Sequence, residues 1–428
     1  MNIERFSGIL IFLSFLSTIY SYFFQKSFLI VSGILAWLAF ILLFQTLKSK
    51  KIIVILLISS LIAYFVCYVN DYKVDFFKVF TVNQYLLTLL IGVGFLRLVA
   101  TPRKDKIQKL PKGKNSFIKT YLGVHLFGSV INLSSLLLVA DKMYKKAPLT
   151  NAQIILLTRS FASDAYWSPF FVAFAAAITY APKLTTSIIL VNGIVLAFLA
   201  FLITYYEVNK EKKFNIDEFY GYPLSFDTLY LPILLAFLVL LTNHFYPQIK
   251  VIILISSFSI LMTFFILPVK KGILETTKIF KFHIIDELPK MKSEISLFLV
   301  AGMFGITISS ILVGLDLSFP FDVFDWKIAS ILLLVFLFLA FIGIHPIITI
   351  AIIGDFLSGV NHTLLAVTFL MAWSTTVSTS PFSGLNLTIV ARYNVNAKEI
   401  FMLNIAYAFK MYVICTICLF ILSNYLGL

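Results

Sequence analysis

Two polar clusters, each centred on a proline, interrupt long apolar stretches of this sequence. The first contains Ser160, Ser163, Asp164, Ser168 and Pro169, and the second contains Ser374, Thr375, Thr376, Ser378, Thr379, Ser380 and Pro381. Proline lacks an amide hydrogen and frees the carbonyl one turn earlier, so a helix broken there presents amides on one side and carbonyls on the other. Amides attract anions, and carbonyls attract cations. We interpret Pro169 and Pro381 as helix breaks that form a binding site; the alternative is a simple kink whose carbonyls are satisfied by Ser and Thr hydroxyls.

Arg159 and Asp164 are the only charged residues of the first long apolar helix. A charge in hydrocarbon is costly unless it is paired, hydrated or functional. Their spacing of five residues does not place them on one helical face, so direct contact requires a break between them. Either they form a structural ion pair, or Arg159 binds an anionic substrate and Asp164 carries the coupling Na⁺ or proton. The matching positions of the second cluster are Met371 and Thr376, so only one half carries charge.

Two Gly-x-His motifs, ending at His125 and His345, precede the two clusters. Glycine permits a tight turn, so each motif predicts the tip of a helical hairpin. A histidine at such a tip could face an anion, carry a proton, or simply cap the tip carbonyls. Asn132 follows the first tip and Asn386 the second break, and both are predicted ligands.

The predicted site is therefore a set of hairpin and break residues without a metal or other cofactor. Its substrate ligands are His125, Asn132, Arg159, Ser163, Ser168, His345, Thr375, Thr376, Ser378, Ser380 and Asn386, and its coupling-ion ligands are Asn132, Asp164 and Ser378. The Cys415 and Cys418 pair lies in the middle of an apolar run without a second ligand pair, so it does not predict a metal centre.

The amino-acid composition indicates that these elements are surrounded by lipid. Of 428 residues, 60% are hydrophobic and 13% are charged, and the mean hydropathy is +0.97. Apolar runs of about 20 residues, enough to span a bilayer, recur along the chain. The sequence predicts an all-α polytopic membrane protein with about eleven transmembrane helices and two re-entrant hairpins.

Loop charge predicts the topology. The net charge of +14 comes from basic loops, which the positive-inside rule places in the cytoplasm. Placing the basic segment 103–119 and the loops 142–146 and 270–292 inside gives a cytoplasmic N-terminus and an external C-terminus in a bacterial inner membrane. The basic excess then predicts contact with membrane lipid, and no nucleic acid partner.

The chain is predicted to contain two repeats after an extra N-terminal span at 1–27. Repeat 1 covers 28–215, with a hairpin at about 113–141 and a broken helix at 150–181; repeat 2 covers 216–428, with a hairpin at about 327–358 and a broken helix at 364–391. Ser-Pro-Phe at 168–170 and at 380–382 supports the match. The distance from His to Ser is 43 residues in one copy and 35 in the other, which predicts an insertion of eight residues. Hairpins that enter from opposite sides indicate the inverted repeats of secondary transporters.

This order of elements resembles the divalent anion/sodium symporter family and the wider ion transporter superfamily. The Ser-Asn-Thr signature that the family has at each hairpin tip is matched in part, by Ser129 and Asn132 at one tip, whereas Gly343-Ile344-His345-Pro346 stands at the other. The resemblance implies a scaffold domain that forms a homodimer, a moving domain of hairpins and broken helices, elevator-type alternating access, and coupling to Na⁺ or H⁺.

The expected function is cation-coupled uptake of a small anion such as an organic acid, rather than an enzymatic activity. A sodium/proton antiporter would need Asp164 but no substrate-sized cavity. A membrane enzyme of envelope glycan assembly would need larger external loops, rich in Arg and His. A partner subunit without transport activity would not need polar residues at both breaks.

Overall fold

A computed structural model describes residues 3–47, 50–100, 111–211, 214–222, 230–317, 321 and 323–428. These residues form helices and no strand. Lipid offers no hydrogen-bond partners to the backbone, so a single membrane-spanning segment must form its backbone hydrogen bonds within itself, as a helix does. Within this part of the chain, eight helices are long and apolar enough to cross a membrane. The prediction of an all-α polytopic membrane protein is confirmed. Parts of the basic loops used to predict the topology, residues 101–110 and 212–213, lie outside the described residues.

The α-helices are numbered in chain order. They are α1 (Ile3–Phe23), α2 (Phe28–Leu43), α3 (Lys50–Val69), α4 (Phe76–Thr81), α5 (Gln84–Ala100), α6 (Lys114–Ile131), α7 (Leu133–Tyr144), α8 (Asn151–Ala162), α9 (Val172–Tyr180), α10 (Thr186–Lys210), α11 (Tyr230–Phe245), α12 (Val251–Lys271), α13 (Ile273–Phe282), α14 (Lys292–Gly314), α15 (Trp326–Phe341), α16 (Pro346–Phe356), α17 (His362–Thr379), α18 (Gly384–Tyr393) and α19 (Ala397–Tyr425).

Three of the predicted spans are absent from the set of eight. Two of them, 150–181 and 364–391, are each divided into two shorter helices, α8 and α9 in the first case and α17 and α18 in the second. The third is the apolar stretch 229–246, in which the described residues form the 16-residue helix α11. An unbroken helix needs about 20 residues to span the hydrocarbon core.

The chain divides into two compact units. The first comprises Met1–Ala100, Leu231–Pro320 and Ile347–Gly359, and the second comprises Thr101–Tyr230, Phe321–Pro346 and Val360–Leu428. The first unit therefore contains α1 to α5 and α11 to α14. The second contains α6 to α10, α15 and α17 to α19, and the predicted second hairpin is shared between the units, with most of α16 in the first.

A buried network of hydrogen bonds between hydroxyl and amide side chains links α1 to other helices of the first unit. Ser32 Oγ donates to Gln84 Oε1 over 3.0 Å, and Thr18 Oγ1 lies 2.6 Å from Ser32 Oγ. Such bonds between membrane helices contribute on average about 0.6 kcal/mol each. Nearer the start of α1, a Cβ atom at Gly8 would meet the carbonyl oxygen of Ile284 at 2.2 Å. Glycine therefore allows α1 to lie directly against the π-helical turn His283–Glu287.

The first helical hairpin of the second unit turns at Asn132, between α6 and α7, and not at His125 as the sequence predicts. Helix α6 runs through Gly123 and His125 without interruption. Asn132 has a φ of +53° and a ψ of −146°, a positive-φ conformation outside the left-handed helical region that residues with a side chain rarely adopt. In the second half the turn follows α15, where Gly343 has a φ of +103° and His345 lies just beyond it.

Corresponding elements in the two halves are separated by a nearly constant number of residues. Helices α15, α17, α18 and α19 begin 212, 211, 212 and 211 residues after α6, α8, α9 and α10. The turn residues Asn132 and Gly343 are also 211 apart. His125 and His345 are therefore not equivalent, and the predicted insertion of eight residues does not agree with this spacing.

Candidate functional site

The first broken helix has a well-defined local cause. Helix α8 begins with a capping box between Thr150 and Gln153 and ends at Ala162, after which Ser163–Tyr166 form one 3₁₀ turn. Pro169 lies in the non-helical segment that precedes α9, in keeping with the free-energy cost of a proline inside a helix. The carbonyl of Asp164 accepts the amides of Trp167 and Ser168, which closes the end of the turn.

Helix α6 places His125 beside this break. Its Nδ1 lies 2.7 Å from Asp164 Oδ1, 3.0 Å from Ser163 Oγ and 3.1 Å from the Ser160 carbonyl. The Asp164 side chain is completely buried. Despite the short distance, His125 Nδ1 is aligned for a hydrogen bond with the Ser160 carbonyl and not with the carboxylate. Among the described residues, neither carboxylate oxygen therefore has a well-aligned hydrogen-bond donor. A buried carboxylate without donors is strongly disfavoured, which favours a carboxyl group that takes up a proton.

Gly128 makes room for this carboxyl group. A Cβ atom at Gly128 would lie 2.3 Å from Asp164 Oδ2. We expect Gly128→Ala to force the carboxyl group away and to destabilise the protein by about 1 to 3 kcal/mol, the usual range for overpacking. The measurement is the thermal unfolding of the purified protein.

Gly384→Ala is the matched control for this variant, since an added Cβ there meets no atom within 4 Å. In a double-mutant cycle, Asp164→Ala should relieve the cost of Gly128→Ala, because it removes the atoms that clash. Equal melting temperatures for the two glycine variants would contradict the proposed contact.

The second break repeats the local hydrogen bonds of the first. Ser380 Oγ donates to the Ala340 carbonyl of α15 and accepts the Phe382 amide. Ser168 Oγ donates to the Ser129 carbonyl of α6 and accepts the amide of Phe170. Each Ser-Pro-Phe motif thus joins a break to the helix that precedes a turn. Pro381 lies between α17 and α18, as Pro169 lies between α8 and α9.

Asn386 connects the two sides of the second break. Its Nδ2 donates to the carbonyls of Ser378 and Ser380, at 3.2 and 2.9 Å. Its buried Oδ1 has no hydrogen-bond donor among the described residues. The hydroxyls of Thr376 and Ser378 return to carbonyls of their own helix. In this conformation the second break is neutral, and one amide oxygen remains available for a ligand.

The first break packs against α17, one to two turns before the second break. Ser374 Oγ donates to the carbonyl of Ala162 over 2.7 Å, which satisfies the end of α8. The hydroxyl of Tyr166 lies 3.2 Å from Thr375 Oγ1. The structure therefore brings several predicted residues into one region of the second unit, namely His125, Ser163, Asp164, Ser168 and Thr375.

Arg159 belongs to a different cluster. Its guanidinium donates to a carboxylate oxygen of Glu207, to Asn404 Oδ1 and to the Leu403 carbonyl, and it lies 4.2 Å from the centre of the Tyr407 ring. The side chain is 2% exposed. Every nitrogen of the guanidinium is occupied, and the ion-pair partner is Glu207 rather than Asp164. The predicted role of Arg159 in anion binding does not agree with this geometry, which is that of a structural ion pair.

The other predicted ligands lie at the turns. The backbone carbonyl of Asn132 accepts both the amide and the hydroxyl of Ser135. His345 packs edge-on against Trp373, with ring centres 5.2 Å apart. From the sequence alone, no role is assigned to Glu207, to Gly128 or to Trp167, whose indole donates to His125. Only the position of Trp167 beside the proline break could have drawn attention to it.

No grouping of three or more His, Cys, Asp or Glu side chains within the described residues could hold a metal ion. No protein-family model matches the chain, and no curated protein does either.

Proposed function

We propose that this chain is a proton-coupled secondary transporter of a small anionic solute. The observation that supports this most directly is the buried contact between His125 and Asp164 at a helix break. An ionisable residue inside a membrane helix marks an ion or proton pathway unless it has a purely structural partner. Arg159 has such a partner, whereas Asp164 faces a titratable ring.

The surroundings of Asp164 favour a proton over Na⁺ as the coupling ion. Hard cations take several oxygen ligands. A ring nitrogen, His125 Nδ1, lies 2.7 Å from the carboxylate. A carboxyl group and an imidazole group in contact can exchange and store a proton.

The arrangement of elements supports a transporter with two inverted repeats and elevator-type access. One compact unit holds both broken helices and the hairpin α6–α7, together with the long helices α10 and α19, and the other holds the remaining candidate spans of the described residues. The spacing of 211 to 212 residues and the shared hydrogen bonds of Ser168 and Ser380 support the repeat. A homodimer in a bacterial inner membrane, with a cytoplasmic N-terminus, completes the proposal.

The solute is proposed to be a small anion, as the resemblance to the symporter family implies. Because Arg159 is occupied, the anion would be bound mainly by backbone amides at the start of α9 and α18. No atom lies within 4 Å of a Cβ built at Gly384, the first residue of α18, so there is space beside this terminus.

The test is proton flux in liposomes that contain the purified protein and a trapped pH-sensitive dye. Lactate, succinate, citrate, sulfate or phosphate is added outside, each as the sodium and as the choline salt. We expect one anion to acidify the lumen equally with both cations, and protein-free liposomes correct for passive entry of the undissociated acid. Acidification only with sodium would indicate sodium coupling. Sodium-driven alkalinisation without any anion would favour the antiporter, and no response to any salt would contradict transport.

A further inference from the structure

Trp167 lies in the non-helical segment of the first break and contacts His125 through its indole nitrogen. Trp167 Nε1 donates to His125 Nε2 over 3.1 Å. An indole N–H is a donor only, so the Nε2 atom that receives it must present a lone pair. The proton of the neutral imidazole ring is therefore on Nδ1, the atom that faces Asp164, Ser163 and Ser160.

This hydrogen bond restricts where a second proton can bind. Protonating His125 would place an N–H at Nε2 directly against the N–H of Trp167, which would cost the hydrogen bond and leave two donors facing each other. Asp164 has no such restriction. An additional proton bound by the pair therefore resides on the carboxyl group as long as Trp167 keeps its position.

We propose that Trp167 is a positioning residue: it holds His125 in the Nδ1–H form and thereby directs the coupling proton to Asp164. This inference rests on the proposed proton-coupled transport. When the break rearranges and the indole withdraws, Nε2 can accept a proton while Asp164 loses one. The neutral acid and neutral imidazole then become a carboxylate and an imidazolium, with the same number of protons. The shape of the break thus controls which group holds the proton.

Among the described residues, the elements packed against His125 and Asp164 supply no unpaired charge through the following contacts. On α6, Tyr121 stacks near His125 with ring centres 6.5 Å apart. On α8, the charge of Arg159 is paired with Glu207 of α10. Helix α17 contributes the hydroxyls of Ser374 and Thr375 at its contacts with the break.

The test is nitrogen NMR of the full-length protein labelled with ¹⁵N-histidine in detergent. The sequence contains five histidines, and His125→Gln assigns the signals of His125. In the wild type we expect neutral His125 in the Nδ1–H form. In Trp167→Phe we expect the Nε2–H and imidazolium forms to appear. Because the variant gains protonated forms, the pH profile of proton-driven uptake should move upward by about half to one pH unit, the equivalent of one hydrogen bond.

Trp373→Phe is the matched control, since Trp373 contacts His345 and should leave the His125 signals unchanged. A wild-type His125 in the Nε2–H form, or unchanged His125 signals in Trp167→Phe, would overturn the proposal. If Trp167→Phe does not fold, the tautomer of His125 in the wild-type protein alone tests the proposal. The NMR result does not depend on transport. If His125 shows the expected tautomer but no proton-coupled uptake is found, the proposed function fails while the tautomer assignment stands. If the tautomer differs, this inference fails whatever the transport assay shows.

Discussion

Replacing Asp164 by asparagine is expected to abolish proton-driven accumulation of the solute while leaving exchange of solute across the membrane intact. The amide has nearly the same shape as the carboxyl group but cannot release a proton, so the variant behaves as a permanently loaded carrier. With one proton per solute, a gradient of one pH unit supports about tenfold accumulation in the wild type. We expect none in Asp164→Asn. The measurement is uptake of the labelled anion into liposomes with an imposed pH gradient, beside counterflow without a gradient.

Asp141→Asn provides the control for this experiment. Asp141 belongs to the same unit, and its carboxylate accepts from Arg392 at 2.7 Å and from Tyr393 at 2.8 Å. It is 34% exposed and paired, so its loss should not remove the response to a pH gradient. If Asp164→Asn accumulates the solute like the wild type, Asp164 is not the coupling group. If it loses counterflow as well, Asp164 is required for binding or folding rather than for coupling.

Arg159→Met is expected to destabilise the protein by about 3 to 5 kcal/mol, the usual cost of removing one partner from a buried ion pair. The change leaves Glu207 with Lys410 as its only ion-pair partner among the described residues and removes the donors to Asn404 Oδ1 and the Leu403 carbonyl. A neutral side chain of similar length cannot replace these bonds. The measurement is thermal or denaturant unfolding of the purified protein.

Arg97→Met is the matched control. Arg97 is 37% exposed and lies 3.4 Å from Glu287, so its loss should cost no more than about 1 kcal/mol. A folded Arg159→Met protein with wild-type stability that no longer responds to the anion would contradict the structural role and restore the anion-binding role predicted from the sequence.

The sequence predicts most of the helices because lipid imposes simple requirements on them. Apolar length identifies the long spans, since every backbone group must be satisfied within a helix. Proline chemistry predicts interruptions near Pro169 and Pro381, and the chain is non-helical at both positions. These features depend on neighbours within a turn or two of the chain.

The remaining features depend on contacts between distant residues. The partners of Arg159 are 48 and 245 residues away, and the loop-charge pattern contains no information about them. The turn at Asn132 was missed because Gly123 suggested an earlier one, although glycine in an apolar membrane helix is also compatible with continued helix. The role of Trp167 becomes visible only when the ring nitrogen that it contacts is known.

The shared hydrogen bonds of Ser168 and Ser380 bear on how the two breaks can diverge in evolution. Both breaks make the same pair of serine hydrogen bonds, yet Asp164 corresponds to the neutral Thr376 at a distance of 212 residues. In the proposed transporter, the residue that couples energy and the side chains that recognise the solute around Asn386 therefore lie in different repeats and are expected to be separately alterable. Under the proposed function, substitutions around Asn386 are expected to change the preferred anion without changing proton coupling, a modular arrangement that favours both evolution and redesign.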